Sequence, residues 1–129
     1  MPIDLSLLTK IAEGIAGFIE YALKFKDEER EKFNKALNAI LTAALNTRRY
    51  LAGQKQGIYH EQDEEARLMD LWKDASIGIH EFDKDLADLC LHEAEYWSDP
   101  PEWSFREINN AKRILRVITG KIEQLLMDR

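Results

Sequence analysis

The chain contains few of the residues that cross-link or interrupt a fold: of its 129 residues, one is cysteine, three are proline and six are glycine. Because Cys90 is alone, no disulfide can form within the chain, and a reducing, cytoplasmic setting is expected. The scarcity of glycine and proline argues against an all-β fold, which needs many tight turns. The length is that of one domain, so we expect a single domain over residues 1–129.

Long hydrophobic runs are also missing. The longest uncharged stretch, 36–47, is shorter than the roughly 18 residues that a transmembrane helix requires. Lys10 and Glu13 interrupt the apolar N-terminal region, and no basic leader precedes it. We therefore expect a soluble protein with no membrane partner.

Apolar residues recur at alternating spacings of three and four, the pattern of a helix with one buried face. This pattern predicts four helices, over residues 4–25, 27–52, 61–97 and 102–127. The third is predicted to be continuous, because its pattern runs unbroken from Leu68 to Leu89 across Gly78. A turn near Asp27 separates the first two helices in this scheme, and one continuous helix is the alternative. Short connections favour an all-α, antiparallel up-down-up-down four-helix bundle.

The sequence Asp99-Pro100-Pro101-Glu102 marks the start of the fourth helix. Proline fits a first helical turn, and Asp99 and Glu102 have the spacing of a capping box. Two tryptophans flank this corner, and they either pack it closed or form an interaction hot spot at one end of the bundle. They are Trp97 and Trp103.

The charge is unevenly distributed along the chain. Residues 60–102 contain 14 acidic and 3 basic residues, a net charge of −11, whereas the chain as a whole carries −6. This acidic segment either faces solvent, partly neutralised by fourth-helix cations, or docks a basic protein partner. Its strong negative charge argues against direct nucleic-acid binding. The residues predicted to contact a partner, in addition to Trp97 and Trp103, are Glu81, Asp83, Asp85, Asp88 and Glu95.

The first helix is apolar around most of its circumference, which predicts self-association into a homo-oligomer. The small side chains of Ala12 and Ala16 would let a second helix approach closely, and Ile19 is predicted to point outward. A small basic cluster of Arg48, Arg49 and Lys55 is interpreted as cations that interact favourably with a helix C-terminus.

The catalytic and metal-binding motifs tested do not identify an enzyme. No histidine has glutamate three residues before it, as the di-metal sites of ferritin-like bundles require. No arginine is followed four to six residues later by histidine, as in HEPN ribonucleases, and there is no glycine-rich phosphate loop. Cys90 lies at a position where the helical period predicts an apolar, buried residue, and it is interpreted as a core residue. No catalytic residue, metal ligand or cofactor is therefore assigned.

Two acidic pairs resemble, in four residues only, the paired carboxylate motifs of MazG-type nucleotide pyrophosphatases. They are Glu61-x-x-Glu64 and Asp85-x-x-Asp88. On one continuous helix the pairs would lie about 36 Å apart, too far to share a magnesium ion.

The favoured function is a non-enzymatic protein–protein interaction module that self-associates, docks a basic protein through its acidic third helix, or does both. One alternative is a small acidic inhibitor of a basic nuclease or nucleic-acid-binding protein, similar to immunity proteins in shape and charge only. A metal-dependent MazG-type pyrophosphatase is the other alternative.

Overall fold

In a computed structural model that describes residues 5–17, 24–53, 60–101 and 104–127, the chain is helical and these ranges contain no strand. The all-α prediction is confirmed, but the described part contains five helices and not four. They are α1 (Leu5–Ala16), α2 (Asp27–Ala52), α3 (Gln62–Ile79), α4 (Lys84–Ser98) and α5 (Phe105–Met127). No helix in these ranges is long and apolar enough to cross a membrane.

The predicted continuous third helix is wrong, because a tight turn divides it into α3 and α4. The backbone N–H groups of Phe82 and Asp83 both donate to the carbonyl oxygen of Ile79, at 3.0 and 2.9 Å. Asp83 then caps α4, since its Oδ1 accepts a hydrogen bond of 3.0 Å from the N–H of Leu86. The chain therefore reverses over residues 80–83.

Three phenylalanine rings hold this turn against the start of α2. The Phe82 ring lies edge-on to Phe25 and Phe33, with ring centroids 5.6 and 5.2 Å apart. Phe25 and Phe33 also contact each other at 5.0 Å. Edge-to-face aromatic contacts of this kind add stability beyond the burial of their area.

The alternative of one helix through residue 27 is wrong. Lys26 has extended backbone angles (φ −76°, ψ 166°), and α2 begins at Asp27. Asp27 is therefore the first helical residue and not the capping residue. With Glu28 and Glu29 it places three carboxylates in the first turn, where the helix dipole favours negative charge.

The capping box that starts α5 lies five residues beyond the predicted one. The Ser104 N–H donates to Glu107 Oε1 at 3.0 Å, and the Glu107 N–H donates back to Ser104 Oγ at 3.1 Å. Pro100 and Pro101 precede the helix and are not in its first turn. Glu102, half of the predicted box, lies outside the described residues.

Each helix packs mainly on two others, so that α1, α5, α2, α3 and α4 surround one core in that order. Contacting pairs run in opposite order along α2 and α3: Tyr50 meets Glu65, Thr47 meets Trp72, and Ala36 lies against Gly78. A Cβ added at Gly14 would lie 3.2 Å from Leu86 Cδ1, so this glycine permits close packing of α1 on α4. The largest fully buried side chains include Trp72, Phe33, Leu8, Ile11, Ile15, Leu37, Ile40, Leu68 and Leu86.

Cys90 lies in this core, as predicted. Burial, with a smaller effect of Glu93, raises the pKa of the Cys90 thiol from 9.0 to about 12. Because the native thiol has the higher pKa, its contribution to stability is complete below about pH 9 and is lost as the pH rises toward about 12.

We expect Cys90 to react with a colorimetric disulfide reagent only through opening of the fold. At pH 8 the native protein should react at least about a hundredfold more slowly than the protein in guanidinium chloride, because attack requires an accessible thiolate. The release of chromophore is followed by absorbance. Equal rates in the two conditions would show that Cys90 is not in the core.

Candidate interaction surface and a buried polar cluster

Exposed carboxylates form two lines along the α3–α4 hairpin. On α4, Asp85, Asp88 and Glu95 recur at spacings of three and seven, which places them along one side of the helix. The two helices pack together, and Ser76 Oγ of α3 donates to the Ala87 carbonyl oxygen of α4 at 2.7 Å. We call this surface the acidic hairpin face; its residues are Asp63, Asp70, Asp74, Glu81, Asp85, Asp88 and Glu95.

These carboxylates have no cationic partner within the described part of the chain. Among the described residues, the only basic side chain in salt-bridge range of a carboxylate is His60, whose Nδ1 lies 2.6 Å from Glu65 Oε2. The predicted neutralisation by Arg106, Lys112, Arg113 and Arg116 is not observed, because α5 packs mainly on α2 and α1. The acidic hairpin face therefore presents a net negative charge to solvent, although Arg67, Lys73 and Lys84 are also exposed on this hairpin.

Two apolar side chains lie among these carboxylates. Ile77 is 74% exposed and continues the line of Asp63 and Asp70 at intervals of seven residues. Leu91 is 40% exposed and lies three residues after Asp88. Apolar side chains surrounded by charged ones are typical of the contact patches of transient protein interfaces.

Four of the predicted partner-binding residues are exposed on the hairpin: Glu81, Asp85, Asp88 and Glu95. Asp83 is half-buried, and its carboxylate caps α4. Of the two alternatives given for Trp97, a packed position is the one observed, because this side chain is only 2% exposed and lies in the core, where it offers little surface to a partner. Trp103 lies outside the described residues.

The predicted self-association residues do not form an exposed patch in the described part of α1. Ala12 is 8% exposed and is already covered within the chain, and Ala16 is half-buried. Ile19 lies outside the described residues. Self-association stays a prediction.

A second feature, a buried polar cluster, lies where α2 ends and α3 begins. The Tyr50 hydroxyl donates to Glu65 Oε2 at 2.7 Å, and His60 Nδ1 lies 2.6 Å from the same oxygen. Nearby on α4, Trp97 Nε1 donates to Glu93 Oε2 at 2.9 Å. The Tyr50 and Trp97 rings meet edge-on at 5.7 Å, which joins the two pairs.

Local sequence explains how these groups meet. Tyr50 lies in the last turns of α2, Glu65 lies in the first turn of α3, and the Glu61 N–H donates to the Tyr50 hydroxyl oxygen at 3.0 Å. Glu93 and Trp97 are one turn apart on α4. Burial, and then the hydrogen bond with Glu65, raises the pKa of Tyr50 above its ordinary value.

Sequence reasoning missed this cluster, although a signal was present. Glu65 lies three residues before Leu68, and Glu93 lies three residues after Cys90. Both glutamates are therefore at positions where the helical period predicts buried side chains. A carboxylate at a core position needs hydrogen-bond donors. Glutamates at these two positions therefore predict a buried polar cluster.

A cleft of about 490 Å³ opens beside the cluster, lined in part by His60, Glu65 and Trp97. Glu65 lies within hydrogen-bond distance of the His60 imidazole at the edge of this cleft. The Ser98 hydroxyl in this cleft donates instead to the Glu95 carbonyl oxygen. The described geometry thus supports a structural connection between α2, α3 and α4, and it does not place a nucleophile against the imidazole.

The turn over 80–83 does not bring the two MazG-like acidic pairs together. Glu61 and Glu64 lie at the start of α3, whereas Asp85 and Asp88 lie at the start of α4, beyond the other end of α3. The 18 residues of α3 span about 27 Å. In the described part of the chain, no group of three or more His, Cys, Asp or Glu side chains is placed to hold a metal ion.

Comparison with known proteins gave no match to a protein-family model, a curated protein or a solved structure.

Proposed function

We propose that this chain is a non-enzymatic interaction module that docks a basic protein through the acidic hairpin face. The observation that carries the proposal is a set of exposed carboxylates that form no ion pair with a described cation, with the exposed Ile77 among those on α3. A surface with a large excess of negative over positive charge attracts an oppositely charged partner over a distance and raises its association rate. An apolar side chain at its centre supplies contact area once the partner has arrived.

The like charges carry a cost that a purely structural role does not explain. Asp85 and Asp88 are three residues apart on α4, a spacing at which equal charges repel and destabilise a helix slightly. A solvated helix face needs no such concentration of one charge. A cationic partner would remove the repulsion on binding.

Three finer points belong to the same proposal. Inhibition of a basic nuclease or nucleic-acid-binding protein is one form of docking that this charge would serve. The antiparallel up-down arrangement is proposed for α2 to α5. A cytoplasmic setting is also proposed, because a single unpaired cysteine is compatible with a reducing compartment. Docking has more structural support than self-association, because Ala12 is covered within the chain.

Affinity capture with charge variants tests the proposal. Asp85→Asn with Asp88→Asn removes two charges from the acidic hairpin face, and Ile77→Ser removes its most exposed apolar side chain. The matched control, Glu28→Gln with Glu31→Gln, removes two exposed carboxylates from α2. We expect the parent and the control to capture a basic protein, and both hairpin variants to capture less of it. Quantitative mass spectrometry measures the captured amounts.

Circular dichroism melting of each variant checks that the fold is retained. Asp83 is left unchanged because it caps α4. Equal capture of every protein by the parent, the hairpin variants and the control would contradict docking through this face.

A further inference from the structure

A basic groove lies between α2 and α5, on helices that do not carry the acidic hairpin face. Its volume is about 360 Å³, and its lining includes four cationic side chains and no carboxylate. Arg48 and Arg49 come from the last turns of α2, and Lys112 and Arg116 come from α5, one turn apart. Leu45 and Ala52 complete the lining.

The four cations are not fully neutralised within the described part of the chain: Arg49 also lines a neighbouring pocket with Glu61 and Glu64, but no ion pair forms there. None of them forms an ion pair with a described carboxylate, since the one such pair involves His60 and Glu65. Four positive charges held close together repel one another, and the repulsion is relieved when an anion binds between them. The groove is therefore electrostatically complementary to a multiply charged anion.

One guanidinium is held in position. Arg48 is half-buried, and its Nη1 donates to Thr119 Oγ1 at 3.3 Å. The Thr119 hydroxyl in turn donates to the Arg116 carbonyl oxygen at 3.0 Å, which joins the two sides of the groove. A positioned arginine loses less side-chain freedom when it binds, which favours recognition of an oxyanion.

The dipole of α2 does not account for the whole group. Cations near a helix C-terminus are favourable, and this explains Arg49, which lies in the last turn. Lys112 and Arg116 lie well inside α5, where no helix terminus calls for positive charge. Their convergence with Arg48 and Arg49 needs another reason.

We propose that this groove binds a compact anion with two or more adjacent phosphoryl groups, either inorganic polyphosphate or the phosphate chain of a nucleotide. A single phosphate ester carries about −2 at neutral pH, so four cations match more than one phosphoryl group. Arginine guanidinium groups pair with phosphate oxygens in a bidentate manner. The groove's volume falls in the range of small-molecule sites, roughly 300–1,000 Å³.

Isothermal titration calorimetry of the full chain with tripolyphosphate, ATP and adenosine tests this site. We expect saturable binding of at least one of the two phosphate compounds at about 50 mM salt, weakened at about 300 mM. Arg49→Gln with Arg116→Gln should reduce the affinity about tenfold or more, because two charge-assisted contacts are lost. The matched control, Arg106→Gln with Arg113→Gln, removes two exposed charges of α5 outside the groove and should change the affinity less than about threefold.

The probes also distinguish the source of the phosphates. Equal affinity for tripolyphosphate and ATP identifies the phosphate chain alone as the ligand, and tighter binding of ATP identifies a nucleotide. The absence of saturable binding for both compounds would overturn the site. Equal loss of affinity in the groove and control variants, or adenosine binding as tightly as ATP, would also overturn it. None of these results depends on the acidic hairpin face, which all four arginine substitutions leave intact.

Discussion

Replacing Trp72 with alanine is expected to lower the free energy of unfolding by about 3–5 kcal/mol, the usual cost of truncating a buried aromatic side chain. Trp72 is fully buried in the core, where α3 packs against α2. Its Nε1 donates to Thr47 Oγ1 at 2.9 Å, so the truncation also removes a hydrogen bond between the two helices. Urea denaturation followed by circular dichroism measures the loss.

Two companion variants separate packing from hydrogen bonding. Thr47→Val keeps the shape of the core but leaves the buried Trp72 N–H without its acceptor, which should cost about 1–3 kcal/mol. Ile77→Ala changes an exposed residue of the same helix and should alter stability by less than about 0.5 kcal/mol. A Trp72→Ala variant as stable as Ile77→Ala would mean that the core of α3 is assigned to the wrong residues.

Glu65→Ala is expected to cost about 2–4 kcal/mol, because Glu65 is a buried acceptor that joins α2 to α3. Its Oε2 accepts from the Tyr50 hydroxyl and lies within hydrogen-bond distance of His60 Nδ1. The substitution removes this acceptor from both groups and opens space in the core. Glu65→Gln, which keeps the shape and one acceptor oxygen, should cost less.

A double-mutant cycle with Tyr50→Phe isolates the contact itself. If the Tyr50–Glu65 hydrogen bond is formed as observed, the two single losses should exceed the double loss by about 1–2 kcal/mol. The free energies come from urea denaturation at pH 7, which is below the ordinary pKa of tyrosine and further below the raised pKa of Tyr50, so the hydroxyl is protonated in both states. Additive losses would show that the two side chains are not coupled.

The sequence predicted both bounds of α2, because its apolar periodicity agrees with the signals at the two ends of the helix. The sequence places acidic residues at the first turn, Arg49 in the last turn and Gly53 directly after the helix. The same method failed at 80–83 for a physical reason. Ile79, Phe82 and Leu86 keep helical spacing, and the turn directs Phe82 toward the core as a continuous helix would. The apolar pattern is therefore the same with and without the reversal. The signal that marks the turn is Asp83, a good N-cap residue three positions before Leu86.

The candidate surface was only partly predictable. The excess of acidic residues over 60–102 is visible in the sequence, but their segregation from the α5 cations depends on which helices pack together. The proximity of Trp97 to the prolines left both a packed corner and a hot spot open, although its spacing of four residues from Glu93 and seven from Cys90 is that of the buried positions. The basic groove also depends on tertiary structure, because Arg48 and Arg116 are 68 positions apart in the sequence.

The association rate of the captured basic partner tests docking through the acidic hairpin face most directly. The rate is measured by surface plasmon resonance for the parent and for Asp85→Asn with Asp88→Asn, at about 50 and about 300 mM salt. We predict that the parent associates roughly threefold to tenfold faster than the variant at low salt, that the rates converge at high salt, and that dissociation changes little. Identical association rates in all four conditions would contradict docking through this face.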